Sequence, residues 1–442
     1  MEISYKGNIN IKGTIYPFLF SDYQLVISTG EDRISWDDLN KLMDEGVLII
    51  TDASGNELTL FAEKFELIHL GEYAIHVFGY IGRYTHGERD NKNSINSLLF
   101  KHPTIDYFFR RDQQVIERHI SVLSSLKSDG DSNVLPKRQE HWITIDNKKY
   151  ALKFDAISFY LPGERHPFPV YNCILITSKE SISNSEILRI VGIVKTFLRF
   201  ISHTRDVDLE PVLINYYGND LSAKPYDAAL KLKSIGEGVF APESVIPYEC
   251  LQNGIASIFT QIAENLINFR SLFDSSKTEI YMNDIVNACA CFEMQFKTTY
   301  PSKFKSKKFK FPEQKAVKDK MISNLEACRN IYTDVELEHF DSLLTGFKIA
   351  DMSLQKRLEI ALEEFVNIYG ERNTESKFRE GYQGMPERIK NARNWIAHGD
   401  HTKPLERAAF LDVSLVRAIT YMLILKGAGL ADLDIKACIR EI

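Results

Sequence analysis

The spacing of apolar positions changes near the middle of the chain. Up to about residue 80, short runs rich in β-branched and aromatic residues follow one another: "ISYKGNINI", "TIYPFLF", "QLVIS", "VLIIT", "ELTLF", "ELIHL" and "YAIHVFGYI". Apolar residues at every second position put one face of each run toward a core, so these segments predict strands. "DASGNE", between "VLIIT" and "ELTLF", carries the turn formers of a hairpin. Residues 83 to 140 are more polar, with "GERDNKNS" and "SDGDSN" reading as loops. Strand patterning returns in "HWITID", "KYALKFDAISFYL" and "VYNCILITS", followed by a helix over "NSEILRIVGIVKTFLRFISH" and a closing strand over "PVLINYYG". Residues 1–230 are therefore expected to form a mainly antiparallel β-sandwich or barrel with a few helices, divisible into two lobes.

A linker is expected over 231–245, and from 246 onward the period becomes helical. Leu251, Ile255, Ile258, Phe259, Ile262 and Leu266 share one face of "YECLQNGIASIFTQIAENLINFRSLF". Further helices are predicted near 279–298, 314–331, 335–347, 353–370, 386–398 and 404–426. Gly370 and Gly399 sit where a helix end wants a left-handed residue, and Pro386 and Pro404 where a first-turn N–H is dispensable. Short connections between amphipathic helices imply an all-α bundle over 246–442. The fold class expected is α+β, in more than one domain.

Composition narrows the chemistry. With 442 residues, 44% hydrophobic and 26% charged, the chain can bury two or three ordinary cores. A formal net charge of -6 argues against a uniformly basic surface for indiscriminate nucleic-acid binding and leaves room for a local basic site. The six cysteines form no pair of CxxC knuckles, so neither a disulfide framework nor structural zinc is expected, and "CAC" at 289–291 reads as buried thiols in a helix. "MEISYKGNIN" lacks the regions of a signal peptide. The most apolar stretch, "VSLVRAITYMLILKGAGL", is interrupted by Arg417 and Lys426, so a cytoplasmic chain without a membrane partner is expected.

One segment raises a question of its own. "RIKNARNWIAHGDHTKP", residues 388–404, reads as an amphipathic helix with Ile389, Ala392, Trp395 and Ile396 on its apolar side, yet it also carries Arg393, Asn394 and His398. These residue types suit cleavage of an RNA phosphodiester. A guanidinium offers a phosphate two parallel donors and stays charged, an imidazole moves protons near neutral pH, and an amide can orient a ribose hydroxyl. The RNA supplies its own nucleophile, so neither a metal nor a cofactor is called for. Cations are favoured at a helix C-terminus, which suits an imidazolium at His398 acting as a general acid. At about 100° per residue, Asn394 and His398 share a face, whereas Arg393 and His398 diverge by about 140°. Either His398 leaves the helical direction at the helix end, or a second copy of the helix completes the site across a two-fold axis. The plainer reading is an Arg paired with Glu387, an exposed Asn and a C-capping His. Glu363 and Glu364 could orient Arg393 from a neighbouring helix; as surface charge they need no such role.

Two further groups bear on RNA. Lys303, Lys305, Lys307, Lys308 and Lys310 are interleaved with Phe304, Phe309 and Phe311, a composition that could hold a phosphate backbone and stack bases, and equally that of a solvated connection between helices. His401, three residues after His398, is a candidate helper at the cleft. Without a supporting set of ligands the two histidines do not make a metal site.

"RNWIAHG" resembles the RNxxxH signature of the HEPN superfamily, with the customary small residue before the histidine and glycine after it. "LQKRLEIALEEF" upstream and the long apolar helix downstream resemble the ApeA-like branch, and the β-rich first half is similar to the N-terminal domain that accompanies this branch in bacterial anti-phage proteins. The resemblance implies a bundle of roughly four to six helices and a homodimer that brings two motifs together. It also implies metal-independent endoribonuclease activity leaving a 2′,3′-cyclic phosphate. Arg393 and His398 would then be catalytic and Asn394 would support them. A first half that senses a phage-derived trigger or restrains the nuclease, in an abortive-infection response, also follows from the resemblance. The RNA cut, with transfer RNA one candidate, is not named by these residues. Some HEPN domains are non-catalytic dimerisation or nucleotide- and RNA-binding modules, which is the alternative.

Overall fold

The computed structural model describes residues 4–31, 33–35, 37–38, 41, 46–69, 71–83, 95–109, 140–158, 170–204, 207–209, 212–215, 228–234, 244–267, 272, 280–300, 312–349, 353–378, 381–398 and 406–441. The chain divides into two compact units, Met1–Tyr248 and Glu249–Ile442.

The first unit is built on one antiparallel sheet. Its strands are β1 Tyr5–Ile11, β2 Thr14–Ser21, β3 Gln24–Ser28, β4 Val47–Thr51, β5 Glu57–His69, β6 Glu72–Arg83, β7 Ser97–Phe100, β8 Glu140–Ile145, β9 Lys148–Ser158, β10 Val170–Thr177, β11 Val212–Asn215 and β12 Ala228–Leu232. They run in the order β1-β2-β3-β6-β12-β11-β7-β10-β9-β8, with β4 and β5 attached along β6. The turns explain the tight hairpins. Lys12–Gly13, Asp22–Tyr23 and Asp146–Asn147 all have positive φ, the backbone of two-residue turns whose twist matches that of the flanking strands. "DASGNE" does join β4 to β5, but "ELTLF" and "ELIHL" are one strand rather than two, kept in pairing with β6 by register shifts at Phe61/Ala62, Ala62/Lys64 and Leu67/His69.

The mainly antiparallel architecture expected is present, and the sheet is not closed. Its first half curls until β1 comes back to the end of β4, where a single Gly7–Asp52 bridge and the Ala53 N–H donating to the Lys6 carbonyl (2.7 Å) tie the two. Gly7 is required at this approach, because a Cβ there would lie 2.7 Å from the Thr51 carbonyl. Inside the curl lie Phe18, Phe20, Leu25, Ile27, Leu58, Leu60, Ile75 and Val77. The reason for the open form is β6. β5 takes one edge of β6 along most of its length, while the other edge pairs first with β3 (Glu72–His76) and then with β12 (Gly79–Arg83). The sheet is thereby carried onward instead of round.

Its second half is covered by helix α2, Asn184–Ser202, which starts in a Ser183/Glu186 capping box and buries Ile187, Ile190, Val194, Phe197 and Ile201. β7 and the short helix α1, Pro103–Phe108, were not predicted. All four residues of β7 are buried, so it lacks the alternation that reveals a strand. Phe108 of α1 packs on Phe154, Phe197 and Tyr248, with ring centroids 5.3, 5.5 and 5.6 Å away.

The second unit is helical: α3 Tyr248–Leu251, which starts at the last residue of the first unit, α4 Ile255–Ala263, α5 Met282–Thr299, α6 Pro312–Cys328, α7 Asp334–Ile349, α8 Leu354–Tyr369, α9 Glu371–Phe378, α10 Met385–His398, α11 Arg407–Gly427 and α12 Asp432–Glu441. The long helix expected over 251–266 is interrupted. Gly254 separates α3 from α4, and a Cβ there would fall 2.1 Å from a methyl of Leu430. Neither α9 nor α12 was predicted. Gly370, with φ +100°, ends α8 as expected of a residue that can take positive φ. α11 is the centre of this unit, with α5, α10 and α12 packed on it and α8 on α5 and α10. By length and composition α11 could cross a membrane, but 78% of its most apolar stretch is buried among the other helices.

Candidate functional site

α10 carries the trio and is held to the bundle mainly through its first half. Met385, Pro386, Ile389 and Ala392 are buried in an i, i+3, i+4 stripe. Between them Arg388 makes a two-pronged contact with α11: Nε donates to Asp412 Oδ2 (2.7 Å) and Nη2 to Oδ1 (3.0 Å). Nη2 also donates to the Gly381 carbonyl (3.1 Å). Asp412 is only 2% exposed, so the pair lies in the core, and its hydrogen bond raises the Arg388 pKa above its ordinary value. Gly384 leaves room for this guanidinium, since a Cβ there would come within 2.5 Å of Arg388 Nη1.

One turn further on, half-buried Arg393 donates from Nη1 to Asn394 Oδ1 (3.2 Å). Its charge is felt across the helix interface. The Cys289 thiol on α5 is pushed up to about 12 by burial and by Glu293, against the opposing pull of Arg393. Glu293 in turn accepts from Arg357 Nη1 of α8 (2.6 Å). Arg393 therefore lies on the side of α10 packed toward α5, whose Glu293 is paired with Arg357 of α8. His398 is exposed, and α10 stays helical through it. The helix end thus does not swing His398 toward Arg393, and the divergence of about 140° set by helical geometry persists within one chain.

Arg393 and Asn394 are brought together, with His398 one turn beyond Asn394 on the same face. Trp395 is half-buried. Glu364 does not orient Arg393, because its carboxylate meets the Tyr300 hydroxyl and the Lys426 ammonium. Lys303, Lys305, Lys307, Lys308, Lys310 and His401, together with Gly399, lie outside the described residues. Sequence reasoning missed Arg388, Asp412, Arg357 and Glu293. One signal was available: Asp412 interrupts the apolar run "AAFLDVSLV", and a carboxylate in such a run needs a cationic partner. No family model, curated protein or solved structure matches this chain.

Proposed function

We propose that this protein is a metal-independent endoribonuclease of the HEPN type, its helical unit the HEPN bundle and its β-rich unit an ApeA-type domain that senses infection or restrains cleavage. The observation that carries the reading is the pairing of Arg393 with Asn394 on a helix pinned by Arg388 and Asp412, with His398 exposed one turn away. In the reaction the ribose 2′-oxygen attacks phosphorus and gives its proton to water, the bond to the 5′-oxygen breaks, and that oxygen receives a proton from an acid. The product keeps a 2′,3′-cyclic phosphate. Arg393 stabilises charge building on the phosphoryl oxygens, Asn394 holds its guanidinium and His398 is the proton donor. The divergence of Arg393 and His398 calls for two chains, each giving one residue type to a shared cleft, so the active form is a homodimer through the helical unit. The substrate is RNA, and the setting is anti-phage defence answering a phage-derived trigger.

A second reading, a non-catalytic HEPN dimerisation or nucleotide- and RNA-binding module, draws on the half-burial of Arg393 on a helix packed against α5, where an arginine also serves helix packing. One experiment separates the two. Wild type, Arg393→Ala and His398→Ala are incubated with end-labelled cellular RNA in EDTA, and the product ends are mapped. Cyclic phosphate ends from wild type, lost in both folded variants, are expected. Uncut RNA with wild type, or cleavage undiminished in His398→Ala, overturns the nuclease.

A further inference from the structure

Two cysteines meet in the helical unit. Cys250 lies on α3, the first helix of the unit, and Cys438 on α12, the last, 188 residues further along the chain. The Cys438 Sγ donates to the Cys250 carbonyl (3.8 Å), and its thiol also hydrogen-bonds with the Cys250 side chain; that contact and burial raise Cys438 above the ordinary thiol value. Both thiols are free, Cys438 fully buried and Cys250 half-exposed. Packing fixes the meeting from both sides. Gly254, just after α3, lies so close to Leu430, just before α12, that a Cβ would fall 2.1 Å from a methyl of that leucine. α12 itself packs on α8 and α11, and Lys377 of α9 donates from Nζ to the carbonyls of Ile439 (3.0 Å) and Arg440 (3.2 Å). Of the other four cysteines, Cys173 lies in the sheet and Cys328 is exposed at the end of α6. Cys289 and Cys291, both buried, are two residues apart on α5, where side chains diverge by about 160°.

We propose that Cys250 and Cys438 close a reversible disulfide when the protein meets a hydroperoxide, stapling the first helix of this unit to its last. Cys250, the accessible partner, reacts first. Its thiolate attacks one peroxide oxygen and the O–O bond breaks, giving the Cys250 sulfenic acid and a hydroxide that takes up the proton lost from the thiol. The Cys438 sulfur then attacks the sulfenic sulfur, its proton leaves with the displaced hydroxyl as water, and the S–S bond forms. In total two thiols and one hydrogen peroxide give one disulfide and two waters, the sulfurs oxidised and the peroxide oxygens reduced. Burial keeps Cys438 protonated and out of reach of peroxide until a sulfenic acid stands beside it. A dithiol reverses the bond by exchange at the half-exposed Cys250 sulfur. Because the bond closes a long stretch of chain, it raises the stability of the helical unit.

The test uses the full chain and involves no RNA, so it stands or falls apart from the nuclease. The protein is treated with hydrogen peroxide in slight excess, unfolded in an alkylating reagent and digested, and the peptides are mapped by mass. A Cys250–Cys438 linked peptide, released by dithiothreitol, is expected. In scanning calorimetry the oxidised helical unit should melt higher by roughly 4–16 °C, and dithiothreitol should return it to the starting value. Cys438→Ser should abolish both the link and the rise and leave Cys250 as a sulfenic acid that dimedone traps, whereas Cys328→Ser should leave both unchanged. Recovery of Cys250 and Cys438 as thiols at a dose that oxidises Cys328, a link from Cys250 to any other cysteine, or a link without a rise in Tm overturns the assignment.

Discussion

Replacing Arg388 with Met keeps most of the side-chain volume and removes the fork that grips Asp412. The Asp412 carboxylate then stays in the helical core without that donor. Two features make the loss large: both prongs are within 3.0 Å, and the aspartate side chain is only 1% exposed, so water cannot take over. Breaking one side of a buried ion pair costs about 3–5 kcal/mol. For a helical unit the size of Glu249–Ile442, each kcal/mol moves Tm by about 2–4 °C, so its transition should fall by roughly 6–20 °C. Scanning calorimetry of the full chain reads this directly. The double variant Arg388→Met with Asp412→Leu removes both charges and should recover most of the loss. As a comparison, Arg329→Met breaks the Arg329–Asp341 pair, which is equally short but exposed (50% and 39%), and should leave Tm within experimental error. A drop below about 2 °C for Arg388→Met, or no recovery in the double variant, refutes the claim that this pair anchors α10.

Glu186 titrates far below its usual 4.5: burial pushes its carboxyl up, but hydrogen bonds from the Ser183 N–H and hydroxyl, Lys148 and Tyr150 outweigh this and hold it at about 2. A depressed folded pKa gives stability that is present above pH 4.5 and lost as pH falls toward 2, so Glu186→Gln should flatten the decline of urea midpoints in that window. Burial lowers His102 to about 4 from 6.5, so it resists protonation in the fold; stability should fall as pH drops from 6.5 to 4, and less so in His102→Gln. Gly71→Ala should cost at least about 1–2 kcal/mol in urea unfolding, because φ is +86° and the added Cβ would fall 2.1 Å from the Gly30 carbonyl. Specific ribonuclease activity should drop on dilution below the dimer dissociation constant, with mass followed by light scattering; full activity in a folded monomer would overturn the shared cleft.

Elements that bury one face were readable from the chain because alternation or a helical stripe is imposed by that half-burial. β3, α2 and α8 are examples. β7 was not, since burial on both faces erases the pattern, and α9 and α12 are too short for a stripe to stand out. The path of the sheet was hidden for another reason: which strand pairs with which half of β6 depends on partners as distant as β12. At the site, Arg393, Asn394 and His398 could be picked out as a local spacing. The grip of Arg388 on Asp412, 24 residues away, could not, and neither could the Glu293–Arg357 seam.

The central place of α11 has a consequence for biogenesis. α5, α8 and α10 all precede it in the chain, so as the polypeptide leaves the ribosome their apolar faces emerge before the helix that covers them. At about 5–20 residues per second, the stretch from the start of α5 to the end of α11 takes roughly 7–30 s to synthesise. During that interval those apolar faces stay uncovered, while the β-rich unit, complete by Tyr248, is already free to fold. A ribosome stalled before residue 407 would therefore display a folded sheet followed by helices that have no core to join.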